Sequence, residues 1–196
     1  MGREYIAHVL KRENDTWAPP HKLSDHLQDT ARLAEAFAAE FQSGAWGKAA
    51  GLAHDAGKGR QLWQRYLELE SGYDEEAHLE GKTRKIPHAI HGAELVEQLY
   101  GKGIGRILAY CIAGHHAGLP DWSSAETGRA SLQYQKTHVK DVKNVAPFII
   151  EGIRQAKPLQ TPWKFTEGLG LALWVRMLFS CLVDADYLDT EAFMSN

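Results

Sequence analysis

Ten histidines in 196 residues is a high count, and it is their placement beside carboxylates that could carry chemistry. His54 and Asp55 are adjacent in the run Leu52-Ala53-His54-Asp55-Ala56-Gly57-Lys58, which reads as the end of an apolar helix. Neighbours on a helix point about 100° apart, so the pair can grip a metal ion from two sides. Gly57 and Lys58 would end that helix and add a cation at its negative end. His26 stands in the first turn of an earlier helical stretch, and His88 and His91 open a later one. His115-His116 end another, and Asp184 and Asp186 lie late in the last. Nitrogen and oxygen donors without cysteine favour borderline metals such as Mn, Fe, Co, Ni or Zn. Each residue alone has an ordinary explanation as a surface histidine, a satisfied core histidine or a solvated helix end. All of those explanations must hold together for the chain to have no site.

Elements must bring these residues together. Residues 1–22 read as an extended lead-in ending in Pro19-Pro20-His21. Ser24 is the expected N-cap of a first helix, with Asp25 in its first turn. From Leu27, the residues Ala31, Ala34, Phe37, Ala38 and Phe41 keep helical spacing as far as Ser43-Gly44. Further helices are expected over 45–56 and 60–70, followed by a charged loop over 71–86. Pro87 suits the first turn of a fourth helix, which stops at Gly101-Lys102-Gly103. A fifth runs from Ile104 to His115 and is broken by Gly118-Leu119-Pro120-Asp121. Residues 121–165 read as irregular apart from a helix over 146–155. Trp122 and Tyr134 in that stretch are candidates for packing or for stacking on bases. A strongly apolar helix over 167–188 closes the chain. No strand of convincing length and no repeat is visible. The expected fold is all-α, a single helical bundle over 1–196 with a buried C-terminal helix and few or no strands.

The bulk properties are those of an ordinary globular domain, with 44% hydrophobic and 24% charged residues. The net charge of −3 means that no global field draws in nucleic acid, so a polyanion must be held by local cations or by metal. Cys111 and Cys181 sit in apolar runs and read as small core residues rather than a disulfide. The polar start, Met1 to Tyr5, does not look like a signal peptide. The longest apolar run, Leu169 to Val183, is interrupted by Arg176 and falls short of the roughly 18 residues a membrane span needs. The expectation is a cytoplasmic chain with no membrane partner.

The order of the site residues resembles the HD metal-dependent phosphohydrolase superfamily. It runs His26, His54-Asp55-x-Gly57-Lys58, His88-x-x-x-Gly92-Ala93, His115-His116-Ala117-Gly118-Leu119-Pro120, Asp184-Ala185-Asp186. Within that superfamily the chain is similar to the HD nuclease of type I CRISPR systems, the nuclease part of the interference helicase–nuclease. The phrases nearest to it are Tyr5-Ile6-Ala7-His8, Leu23-Ser24-Asp25-His26-Leu27, Gly114-His115-His116-Ala117-Gly118-Leu119-Pro120-Asp121 and the run from Leu182 to Glu191. The likeness spans nearly the whole chain, and the His-His-Ala-Gly-Leu-Pro-Asp phrase is far more specific than the His-Asp pair.

The resemblance implies a centre for two divalent ions, Mn, Fe, Co, Ni or Mg. His26, His54, Asp55 and Asp186 would hold the first ion, Asp55 would bridge, and His88, His115 and His116 would hold the second. It selects His88, four residues before Gly92, over His91, which is placed one helical turn on as outer support. Aligning the Ala-Asp-aromatic element selects Asp186 over Asp184. Asp55 and Lys58 are the implied catalytic residues, with Lys58 either touching the scissile phosphate or steadying the Asp55 carboxylate. The implied activity is a metal-dependent deoxyribonuclease cutting single-stranded DNA without base readout. Two cations about 3.5–4 Å apart would clamp the phosphodiester. The implied partners are a superfamily 2 helicase domain or subunit and an RNA-guided CRISPR surveillance complex. Two other readings differ in shape and content. A phosphohydrolase for nucleotides or cyclic nucleotides needs a closed pocket, and a non-catalytic docking module would lack the ligands.

Overall fold

The computed structural model describes residues 4–73, 86–158, 160–162 and 168–195. The charged loop expected over 71–86 therefore falls largely outside the described residues. Among those described are eight α-helices and one two-stranded sheet. The helices are α1 (Leu23–Ala39), α2 (Gly44–Ala53), α3 (Gln61–Ser71), α4 (Ala89–Tyr100), α5 (Ile104–Gly114), α6 (Leu132–His138), α7 (Pro147–Gln155) and α8 (Gly168–Met194). A short 3-10 turn, Ala56–Gly59, links α2 to α3. The all-α expectation holds.

The lead-in is more ordered than its sequence suggests. β1 (Ile6–His8) pairs antiparallel with β2 (His21–Lys22), which sets His8 beside His21. Buried Gln64 fixes this sheet to the turn below: its side-chain amide donates to Ile6 O (2.9 Å) and Lys58 O (2.8 Å), and its carbonyl accepts from Ile6 N. β2 runs straight into α1, and Leu23 N donates to Tyr5 O at 2.8 Å. The sheet thus satisfies a donor at the helix start, and Ser24 is not the N-cap. Lys22 holds that position, and the Ser24 hydroxyl turns to Asp25 instead.

Small residues let α1 and α2 pack closely: Ala34 and Ala38 of α1 lie against Gly47 of α2, and Ala31 against Gly51. Two glycines set the approach of the later elements. A Cβ on Gly92 of α4 would lie 1.9 Å from the carbonyl oxygen of Ala53, at the end of α2. A Cβ on Gly57 would lie 2.3 Å from the His88 carbonyl oxygen. The glycines therefore let the entrance of α4 press directly on the end of α2. α5 packs along α4, ending at Gly114 with His115 as its C-cap.

The closing helix corrects two expectations. α8 reaches Met194, and only one stripe of it is buried: Trp174, Leu178, Leu182, Ala185 and Asp189. Trp174 stacks edge-on against Trp46 and donates its indole N–H to Ser43 Oγ at 2.8 Å. The opposite face, with Leu169, Leu173 and Tyr187, is exposed. Apolar residues on both faces hide the helical period, so the helix looks buried in sequence. The 27-residue helix, with a window of mean hydropathy 1.5, is also long and apolar enough to cross a membrane by length and composition. Its inner stripe is instead packed on α1, α2 and α5. In the stretch read as irregular, α6 forms, with Ser131 accepting from Tyr134 N as its cap. Pro87 lies ahead of α4 rather than in its first turn, and both cysteines are free thiols.

Replacing Gly92 by Ala should cost about 1–3 kcal/mol through overpacking, seen as a lower thermal midpoint. At Gly152, inside α7, an added Cβ would meet nothing within 4 Å. Gly152→Ala should raise the midpoint, because alanine is favoured over glycine in a helix by about 0.8–1 kcal/mol. Equal effects at the two positions would refute this packing.

Candidate metal centre

His54 and His115 are placed by the same device. Each is the C-cap of its helix, and each turns Nδ1 back to a carbonyl three residues earlier, Gly51 O or Ile112 O, both at 2.7 Å. A carbonyl can only accept, so both rings carry a proton on Nδ1 and turn Nε2 towards the centre. Helix ends leave carbonyls without partners, so this bond satisfies the backbone and aims the ring in one step. Asp55 follows His54 and starts the 3-10 turn, His88 is the N-cap of α4, and His116 follows His115. His26 on α1 and Asp186 on α8 approach from across the bundle.

These side chains form two donor groups that share Asp55. In the first, Asp55 Oδ2 lies 3.2 Å from His26 Nε2 and 3.6 Å from His54 Nε2, and Asp186 Oδ1 is 3.3 Å from His54 Nε2. In the second, Asp55 Oδ1 lies 3.2 Å from His88 Nε2 and 3.7 Å from His115 Nε2, with His116 Nε2 2.8 Å from His88 Nε2. Asp55 Oδ1 and His115 Nε2 are buried without a hydrogen-bond partner among the described residues. Two facing buried lone pairs are costly, and a cation between them satisfies both. The donor set therefore fits divalent metal.

Electrostatics set the protonation states. Burial would raise the Asp55 pKa, but Lys58, then His54 and His88, hold it well below the ordinary value. Burial likewise opposes ionisation of Asp186, yet His54 keeps its pKa low. Burial lowers His88 to about 3 and His116 to about 4. Burial also lowers His54, but the carboxylates of Asp55 and Asp186 outweigh it and raise the pKa to about 9.

Of the residues expected in the centre, His26, His54, Asp55, His88, His115, His116 and Asp186 converge, and Lys58 adjoins them. Buried Lys58 donates to Asp55 Oδ2 at 2.6 Å, so it steadies that carboxylate. Asp184 is exposed. His91 does not support the ligands: its Nε2 donates to Lys140 O at 3.0 Å. One helical turn carries it out of the centre and towards α6. Trp122 packs against Tyr110 and under the Arg106 guanidinium, 4.2 Å from its ring.

Three supporting residues, His8, His21 and Asp189, are not singled out by spacing. Lys58 also donates to His8 Nε2 at 3.0 Å, so the His8 proton sits on Nδ1, 3.2 Å from His21 Nδ1. Burial and then Lys58 lower the His8 pKa to about 2, keeping that ring neutral. The proton of His21 is then on Nε2, 3.7 Å from Asp189 Oδ2. Asp189 accepts the Nδ1 proton of His26 at 2.6 Å, which leaves His26 Nε2 bare in the centre. His8, His21 and His26 also lie close enough to form a third donor group, but these bonds engage them with one another. The available signals are the Tyr5-Ile6-Ala7-His8 phrase and the three-residue step from Asp186 to Asp189, one turn along the same helix.

The family model of the Cas3 HD domain matches residues 10–183. The chain belongs to the Cas3 HD domain family. Comparison with curated proteins returned no match. Membership makes the chain a CRISPR-associated hydrolase of the HD phosphohydrolase and nuclease superfamily, whose domains bind divalent metal. His8, Asp186 and Asp189 lie outside the matched span, yet the fold brings them to the same centre.

Metal binding must displace the proton on His54. Calorimetric titration near pH 7 in buffers of different ionisation enthalpy should show about one proton released from His54. Affinity should rise with pH and level off above about 9, the His54 pKa. Affinity that is flat or falls across that range would contradict this ligand assignment. Asp189→Asn should weaken metal binding by about 10–100-fold, the usual worth of an outer partner. Unchanged affinity in a folded variant would show that His26 needs no such support.

Proposed function

We propose that the chain is a metal-dependent deoxyribonuclease that hydrolyses single-stranded DNA at a two-ion centre. The observation that carries this reading is that the two oxygens of one buried carboxylate, Asp55, face two separate donor groups. His26, His54, Asp55 and Asp186 would hold one ion, and Asp55, His88, His115 and His116 the other. The bound ions would supply a water of lowered pKa and offset the charge that develops on the phosphodiester.

The residues of the chain do the rest. His54 and His115 are locked by backbone carbonyls, so both Nε2 donors are aimed before any ion arrives. Lys58 fixes the carboxylate that both groups share and acts as a positioning residue. Exposed His116 and half-buried His88 bring the centre to the surface, where a phosphate within a continuous strand can reach it. Such access suits a polymer better than a free nucleotide, which is best held in an enclosed pocket. In the CRISPR setting of the family, the strand would come from a superfamily 2 helicase domain or subunit working with an RNA-guided surveillance complex in the cytoplasm.

Asp55→Asn and His116→Ala test the reading together, because His116 is exposed and its loss spares the core. Outer partners of metal ligands are worth about 10–100-fold, so each ligand variant should lose more than about a hundredfold in cleavage of circular single-stranded DNA. Wild-type protein should carry near two ions per chain by elemental analysis. Cleavage by the variants or by chelated protein at the untreated rate would sink the proposal. Turnover of nucleotides or cyclic nucleotides without polymer cleavage would replace it with the phosphohydrolase reading.

A further inference from the structure

A groove leads away from the second donor group. Its near end is a cavity of about 230 Å³ walled by His88, His116, Ala89 and Gln135. Its far end is a cavity of about 590 Å³ bounded by Arg60, His91, Arg129, Tyr134, His138 and Lys140. Ile86, Pro87, Ile90 and Gln135 line both, so the two are continuous. The larger cavity falls within the range of about 300–1,000 Å³ typical of small-ligand sites.

The chemistry of the far end is that of a nucleotide. Pro87, Ile90 and Val139 supply an apolar wall, and Leu62, 57% exposed, stands at the rim. The Tyr134 ring lies flat on His138, with centroids 3.8 Å apart and planes 15° apart, and makes an aromatic platform. Three cations, Arg60, Arg129 and Lys140, meet one carboxylate, Asp141. Arg60 is buried and, among the described residues, bonds only to carbonyls, donating to Gly57 O at 3.0 Å and Pro87 O at 2.8 Å, so its charge persists. Asp141 is the acidic group that acts on it. Arg129 and Lys140 are exposed, and neither makes an ion pair among the described residues. The buried His91 fixes the Lys140 backbone through Nε2, while its Nδ1 has no hydrogen-bond partner among the described residues. In a chain of net charge −3, these features concentrate positive charge and stacking surface beside the metal centre.

We propose that this groove seats a nucleotide of the single DNA strand next to the phosphate at the metal centre, its base on Tyr134 and its phosphate on Arg129 and Lys140. The proposal rests on the nuclease reading above. The groove holds the strand by charge and stacking and sets its path into the centre.

The test compares wild-type protein with the Arg129→Ala/Lys140→Ala double variant and with Tyr134→Ala. Binding of a labelled oligothymidylate is measured in chelator over a range of salt. Cleavage of single strands is measured with metal, relative to turnover of bis(p-nitrophenyl) phosphate, which is too small to fill the groove. Each single-strand phosphate contact contributes about 0.7 to the slope of log affinity against log salt. The double variant gives up that one phosphate and should therefore lose about 0.7 in slope. Tyr134→Ala should bind about tenfold more weakly, as loss of one stacked base implies, with its slope unchanged. Both variants should cut polymer more slowly relative to the small substrate, through a higher KM. Thermal melts check that each variant is folded. Wild-type affinity and slope in both variants, with wild-type protein cutting DNA, would overturn the groove and leave the nuclease reading intact. Turnover of the small substrate by wild-type protein that neither binds nor cuts polymer would overturn both. Tighter binding of oligouridylate, with the same losses, would replace the DNA occupant by RNA.

Discussion

The arrangement depends on keeping one carboxylate, Asp55, ionised and out of water. Removing a charge from water is costly, and the cost is recovered only if other charges and dipoles are held against it with good geometry. Lys58 supplies the nearest cation at 2.6 Å, itself buried and held by His8. The imidazoles contribute differently. His88 is held neutral and offers a lone pair rather than charge, whereas His54 carries a proton between two carboxylates. A centre built this way is oversupplied with acceptors, and a divalent cation resolves the imbalance. The helices act as a frame that prevents water and relaxation from resolving it in other ways.

That requirement explains why the donors sit at element ends. Mid-helix side chains point where the helix axis sends them, with the backbone already satisfied. A histidine at a helix C-cap can bond the last turn and project beyond it, as His54 and His115 do on α2 and α5. His88 at the start of α4 can reach them only if its backbone lies against the turn after Asp55. Glycine at 57 permits that contact, and glycine at 92 lets α4 follow it in. The frame is therefore specified by missing side chains as much as by those present.

The parts legible in the sequence are those whose partners are near neighbours or whose order along the chain is distinctive. His54-Asp55 with Gly57-Lys58 and the His115-His116 phrase concern residues set by a local helix end, and the choice of Asp186 over Asp184 follows from the family resemblance of the Ala-Asp-aromatic element. The supports of His26 and Lys58 are not legible in this way. His8 meets His21 through a strand pair too short to show a period, and that sheet is held by Gln64 from α3, 58 residues from Ile6. Spacing misplaces His91 because it stands one turn from His88, whereas the carbonyl of Lys140, 49 residues away, accepts a hydrogen bond from its Nε2. The faces of α8 are hidden for another reason. Leucines lie on both sides, so composition cannot say which side meets the core. Only Trp174 with Ser43 and Asp189 with His26 fix the rotation.

The same rotation links stability to chemistry. The stripe that buries Trp174, Leu178 and Leu182 ends, a turn later, in Ala185 and Asp189, with Asp186 beside them. Apolar burial along the first turns of α8 thus fixes the phase of its last turns, where the carboxylates are needed. Turning the helix by one residue, about 100°, would withdraw Asp186 from His54 and Asp189 from His26 together. The apolar stripe alone is worth several kcal/mol at roughly 1.5–3 kcal/mol for each large side chain buried. Hydrophobic packing therefore holds these charges in register, and the acidic residues need contribute nothing to the fold in order to be placed for the chemistry.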